Sequence, residues 1–115
     1  MSGPQQISLQ IAGRLVTTAA VMLETANALS RPSWRVAAVR LMDHLLARHD
    51  VSVVPLASDL WSRGWELYRS RDDKAWSLTD CISFLVMQDL KLSDALTADE
   101  HFRQAGFRAV LLDDS

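Results

Sequence analysis

Trp76-Ser77-Leu78-Thr79-Asp80-Cys81-Ile82-Ser83-Phe84 and, further on, Ala95-Leu96-Thr97-Ala98-Asp99-Glu100-His101-Phe102, running into Arg103-Gln104-Ala105-Gly106-Phe107, decide how this chain is read. Ser77 opens a very apolar stretch through Ile82, Phe84, Leu85, Val86 and Met87, which predicts a buried helix. Ala95 to Ala98 reads as a short strand, Asp99 to Ala105 as a short helix closed by Gly106, and Arg108 to Leu112 as a last strand. Each motif sets one carboxylate, Asp80 or Asp99, beside hydroxyl residues at the border of an apolar segment. Acids held at such borders are candidates for binding a hard divalent cation.

Upstream, the same alternation continues. Arg14-Leu15-Val16-Thr17-Thr18 is a strand candidate, followed by helix from about Ala19 to Ser30, which Arg31-Pro32-Ser33 stops. A second helix starts near Trp34, with Trp34, Ala38, Leu41 and Leu45 at helical spacing. Val51-Ser52-Val53-Val54-Pro55 is short and β-branched, hence a strand whose end or edge Pro55 marks. A third helix is expected from about Ala57 to Ser70, with Leu60, Trp61, Gly64, Leu67 and Tyr68 on one stripe. Strands alternating with helices argue for an α/β fold with a mainly parallel sheet. In such folds functional residues gather at the carboxyl ends of strands, where Thr18 and Asp99 are expected.

At 115 residues the chain has the size of one domain with its own core, and 49% hydrophobic with 23% charged residues is ordinary for a soluble protein. A net charge of −2 gives no overall field that would attract nucleic acid. The charge is uneven: Ser30 to Ala75 holds eight Lys/Arg against six acids, the remainder four against eight. That is either a basic flank beside an acidic centre or a set of solvated helix faces. Cys81 is the one cysteine, so an intrachain disulfide is excluded, and it reads as a small buried residue. No apolar run approaches a membrane span, and Met1-Ser2-Gly3-Pro4-Gln5-Gln6 lacks the features of a signal peptide, so a cytoplasmic protein with no membrane partner is expected.

The acids also have plain structural readings. Ser77-x-x-Asp80 has the form of a capping box, and Asp99 that of an N-cap. The apolar neighbours Leu78, Cys81 and Ile82 nevertheless suggest that Asp80 is buried, and a buried carboxylate needs a partner or a proton. Glu24 has Ala20, Val21 and Ala28 one turn away, where a charge is costly unless paired with Arg31 or coordinating. His101, a single histidine without a paired ligand motif, reads as a surface or packing residue. Trp34 and Trp61 lie on apolar stripes and are expected in the core, whereas Trp65 and Trp76 are open between packing and stacking on bases. No Gly-rich phosphate loop, paired-Cys zinc motif or Ser/His/Asp signature is present.

Over nearly its whole length the chain resembles the PIN-domain family, in particular its VapC-like toxin ribonucleases. Trp76 to Phe84 resembles the family's third acidic motif, Ala95 to Phe102 with Gly106-Phe107 the fourth, and Leu15-Val16-Thr17-Thr18 with Val21, Glu24 and Asn27 the second. The resemblance implies a single PIN-like three-layer α/β/α domain over residues 1–115, with a mainly parallel sheet. It implies a metal-dependent endoribonuclease whose Glu24, Asp80 and Asp99 are both the metal-site and the catalytic acids for Mg²⁺ or Mn²⁺. Thr18, Thr79 and Thr97 would position the substrate, and Arg and Lys of the Arg31–Lys74 region would contact the RNA backbone. It further implies an antitoxin protein as partner, RNA as substrate, and a homodimer.

One departure stands out. The family's first acid is an Asp at the end of a strand in the middle of the sheet, and here no Asp or Glu precedes Glu24. Gln5-Gln6-Ile7-Ser8-Leu9-Gln10-Ile11-Ala12 falls where a helix leading into the second strand would end. The expectation is therefore an N-terminally truncated domain whose first strand is missing, leaving a row of backbone groups in need of partners. A start codon placed too late, a decayed relative, or a second subunit filling the gap through Ile7–Ile11 would each account for it. The alternative function is a catalytically silent PIN-like module that dimerises or captures a partner. A third reading has no nuclease ancestry and treats Asp80 and Asp99 as caps alone.

Overall fold

The computed structural model describes residues 7–9 and 14–113. The elements run β1 (Ile7–Leu9), β2 (Leu15–Thr18), α1 (Ala19–Ala28), α2 (Pro32–Ala47), β3 (Val51–Val54), α3 (Ser58–Ser70), α4 (Leu78–Asp89), β4 (Asp94–Leu96), α5 (Glu100–Gln104), β5 (Arg108–Ala109) and α6 (Val110–Asp113). The five strands form one sheet in the order β3-β2-β1-β4-β5. Parallel pairing joins β2 to β3, from Leu15↔Val51 to Thr18↔Val54, and β4 to β5, through Asp94↔Arg108. Only β1 is antiparallel, to β2 through Ser8↔Val16 and to β4 through Ile7↔Leu96. Because β1 is reversed against both neighbours, the other four strands all point the same way. Their carboxyl ends therefore lie along one edge of the sheet, the edge on which α/β folds build sites.

The middle of the sheet differs from the expectation. Ile7–Leu9 is a strand, not the end of a helix, and it takes the central position itself. The backbone groups of β2 and β4 that face the centre thus find partners within the chain. Gln5, Gln6 and Gln10 to Ala12 lie outside the described residues.

Other differences are local. Pro32 opens α2 at its first turn, where its missing N–H costs nothing. The stretch expected as a strand to Leu112 pairs only through Arg108–Ala109 and then turns into α6, whose Leu111 N–H donates to the Thr97 carbonyl. At the end of α5, Phe107 N–H donates to the Phe102 carbonyl and Gly106 N–H to the Arg103 carbonyl, a Schellman closure. It requires the positive φ of 96° that Gly106 adopts.

The core is built around α4. Cys81, Ile82, Phe84 and Met87 are almost wholly buried, with Val16 of β2, Ala95 of β4 and Phe102 of α5 against them. Phe84 meets Trp76 and Phe102 edge-to-face at ring distances of 5.0 and 4.9 Å, geometries that add to the burial of apolar area. Trp76 Nε1 donates to Gln104 Oε1 at 3.0 Å, and the Arg71 guanidinium lies over the Trp76 ring. This cluster ties the start of α4 to α5 and so fixes Asp80 relative to Asp99.

The crossing of α3 over α4 is close at Gly64, where a Cβ would stand 2.7 Å from Ile82 Cγ1. Trp34 and Trp61, expected in the core, are 45% and 47% exposed. Helical spacing showed which residues share a face but not whether anything covers that face.

Candidate metal centre

Asp80 is the third residue of α4, and its local structure is the capping box read from the sequence. Its N–H donates to Ser77 Oγ and its Oδ2 accepts from Ser77 N–H, both at 3.0 Å. The carboxylate is buried all the same, so the cap and the buried acid are one arrangement and not alternatives. The positive end of α4 favours its negative charge.

Asp99 caps α5 from the loop after β4, its Oδ1 accepting His101 N–H at 2.9 Å. The preceding loop is held by Thr97, fully buried, whose Oγ1 accepts Asp99 N–H at 3.0 Å. The N-cap bond draws His101 back over Asp99. The imidazole Nδ1 lies 3.0 Å from Asp80 Oδ2 and 3.4 Å from Asp99 Oδ1.

One ligand atom each from Asp80, Asp99 and His101 lie within 4.8 Å of one another. Two ligands on opposite sides of an octahedral Mg²⁺ lie about 4.2 Å apart, from metal–oxygen distances near 2.1 Å. The spacing and the donor set therefore fit a divalent cation, with carboxylate oxygens suited to Mg²⁺ and Mn²⁺ and the imidazole adding a nitrogen that Mn²⁺ accepts more readily.

Glu24 is placed differently. It is half-buried on α1 and lines a cavity of about 280 Å³ with Asn27, Trp61, Leu78 and Thr79 among others. Its carboxylate is not part of the Asp80–Asp99–His101 group. Among the described residues it forms no ion pair, and Arg31 instead stacks over Trp34 at 4.9 Å. Thr79, which precedes Asp80 in α4, lines the same cavity. Thr18 is buried as the N-cap of α1, its Oγ1 accepting Val21 N–H at 3.1 Å. Burial pushes the Cys81 thiol up to about 11, with the Asp80 charge as the second cause. Cys81 is a neutral packing group at neutral pH and not a nucleophile.

The sequence reading set His101 aside, yet its ring bridges the two acids. The signal was present in Asp99-x-His101: an N-cap side chain that binds the N–H two residues on places that residue's ring beside its own carboxylate.

The PIN domain family model matches residues 5–108. Among solved structures, the chain is 32% identical to VapC20 of Mycobacterium tuberculosis, a toxin that cleaves the sarcin–ricin loop, with a TM-score of 0.75 over 83% of this chain and 72% of that one. No curated protein matches. Match length, identity and shared architecture agree with acids gathered at the carboxyl edge of the sheet: the chain belongs to the PIN domain family.

Proposed function

We propose that this chain is a metal-dependent endoribonuclease of PIN type and the toxin of a toxin–antitoxin pair. The observation that carries the reading is the convergence of Asp80 and Asp99, from separate elements, to within the span of one divalent ion. Asp80 and Asp99 hold Mg²⁺ or Mn²⁺, and His101, hydrogen-bonded to Asp80, fixes the orientation of its carboxylate. Glu24 supplies the third carboxylate from the cavity that Thr79 also lines. The ion's chemistry is to make water a better nucleophile and to offset charge on the scissile phosphate. Thr97 positions Asp99 through its N–H, Thr79 meets the substrate in the cavity, and Thr18 holds the start of α1 on which Glu24 sits. Similarity to VapC20, a toxin that cleaves the sarcin–ricin loop, supports RNA as substrate, and an antitoxin partner, a homodimer and a cytoplasmic location complete the proposal. Among the described residues no helix is long and apolar enough to cross a membrane.

Replacing Asp80 with Asn should abolish Mn²⁺-dependent RNA cleavage, by about 100-fold or more on the scale of lost electrostatic stabilisation, while the melting temperature stays within a few degrees. Cleavage at the parental rate would remove Asp80 from the reaction.

A second reading is a silent PIN-like binding module. It is favoured by the middle strand, Ile7-Ser8-Leu9, which brings no carboxylate to the centre of the sheet. Purified protein that cleaves no RNA at saturating Mn²⁺ yet binds a partner tightly would select it.

A further inference from the structure

On α3, Trp61, Trp65 and Tyr68 form a stacked column on the protein surface. Their ring centroids are 6.3 and 5.6 Å apart with interplanar angles of 14° and 29°, and the three residues are 47%, 42% and 43% exposed. The sequence spacing (four residues, then three) places all three on one side of the helix over roughly 10 Å of its length. Each end of the column opens on a different cavity. Trp61 lines the one that holds Glu24 and Thr79, next to Asp80. Tyr68 lines one of about 660 Å³ with Arg69, Arg71 and Lys74. Leu78, two residues before Asp80 at the start of α4, lines both cavities.

We infer that this column is a base-stacking platform that leads single-stranded RNA into the acid site. The inference rests on the nuclease reading above and names how its substrate is held. Aromatic rings left this exposed on one helix face suit bases, which stack irrespective of sequence. Cations for the backbone stand at the Tyr68 end. Lys74 has no ion pair among the described residues, and Arg69 reaches Glu66 only at 3.7 Å with both side chains largely exposed. A protein partner fits less well. The column is one residue wide on α3, with Ser62 and Arg69 along one side, whereas a stable protein interface needs about 800 Å² per side with an apolar centre.

The test uses full-length protein carrying Asp80→Asn, without metal, so that binding is read apart from cleavage. A labelled oligouridylate and an abasic oligomer of equal length are titrated by fluorescence anisotropy. Adding Trp65→Leu should weaken oligouridylate binding by about 5- to 150-fold and leave the abasic oligomer unaffected. Trp65→Phe should restore most of the loss, which separates stacking from misfolding. Equal affinity in all variants, or an equal loss for both oligomers, overturns the platform. So does sedimentation showing that Trp65→Leu dissociates a dimer without touching RNA affinity, because the column then covers a second copy. Cleavage by the Asp80 protein is scored separately with Mn²⁺. RNA held through Trp65 but never cut would defeat the nuclease reading and leave the platform standing. Asp80-dependent cutting that ignores Trp65→Leu would do the reverse.

Discussion

At the scale of single residues, the site depends on side chains that do structural and chemical work together. Thr97 is fully buried, and its hydroxyl accepts the N–H of Asp99. Thr97→Val keeps the shape but leaves that N–H without its acceptor, at a cost of about 1–3 kcal/mol. Urea unfolding should show the loss, and Mn²⁺ affinity should fall with it because Asp99 is no longer held. A variant equally stable with unchanged affinity would show that the bond is incidental. Asp80 and Asp99 were legible from their motifs because an acid between hydroxyl and apolar residues is rare on a solvated face. His101 was not, because its place depends on the meeting of α4 and α5, which the local sequence does not report. Glu24 was read as costly to bury among Ala20, Val21 and Ala28; half-exposed at the mouth of a cavity, it escapes most of that cost.

At the scale of elements, α3 and α4 carry the argument. Gly64→Ala should destabilise the protein even though alanine suits a helix better than glycine by about 1 kcal/mol. The added methyl would meet Ile82 at 2.7 Å, and forcing the crossing apart costs about 1–3 kcal/mol. A rise in melting temperature would show that α3 shifts freely over α4.

The same two helices are also joined by a bidentate bond from Arg63, next to Gly64, to Asp89 at the end of α4, with both contacts at 2.8 Å. Hydrogen bonding to Arg63 holds the Asp89 carboxyl below its ordinary range. A lowered folded pKa means that the stabilisation is present above the ordinary carboxylate pKa, about 3.9. It is lost as pH falls through the lowered value. Because both groups are exposed and screened, the contribution is small. Asp89→Asn should therefore lower stability slightly at pH 7, and the gap from the parent should close as pH falls below the ordinary carboxylate range. A gap that persists there would assign the loss to something other than charge. The helices α2, α4 and α5 were legible because a strong stop or cap marks them: Pro32, Ser77, Asp99, Gly106. The packing of their faces was less so, and the exposed Trp34 and Trp61 show where the reading failed.

At the scale of the whole molecule, four strands of one direction put the ends of β2 and β4 on a common edge, and α4 delivers Asp80 to it. The alternation of strand and helix made this α/β arrangement readable from residue order. The direction of β1 was not readable, because a three-residue strand takes its sense from the neighbours it pairs with rather than from its own side chains. The central claim is that Asp80 and Asp99 share one divalent ion, and Mn²⁺ titration by calorimetry tests it without recourse to activity. The account predicts one ion per chain, a melting temperature that rises with Mn²⁺, and loss of both on Asp80→Asn or Asp99→Asn alone. Mn²⁺ binding with the same stoichiometry and affinity in both variants would contradict it.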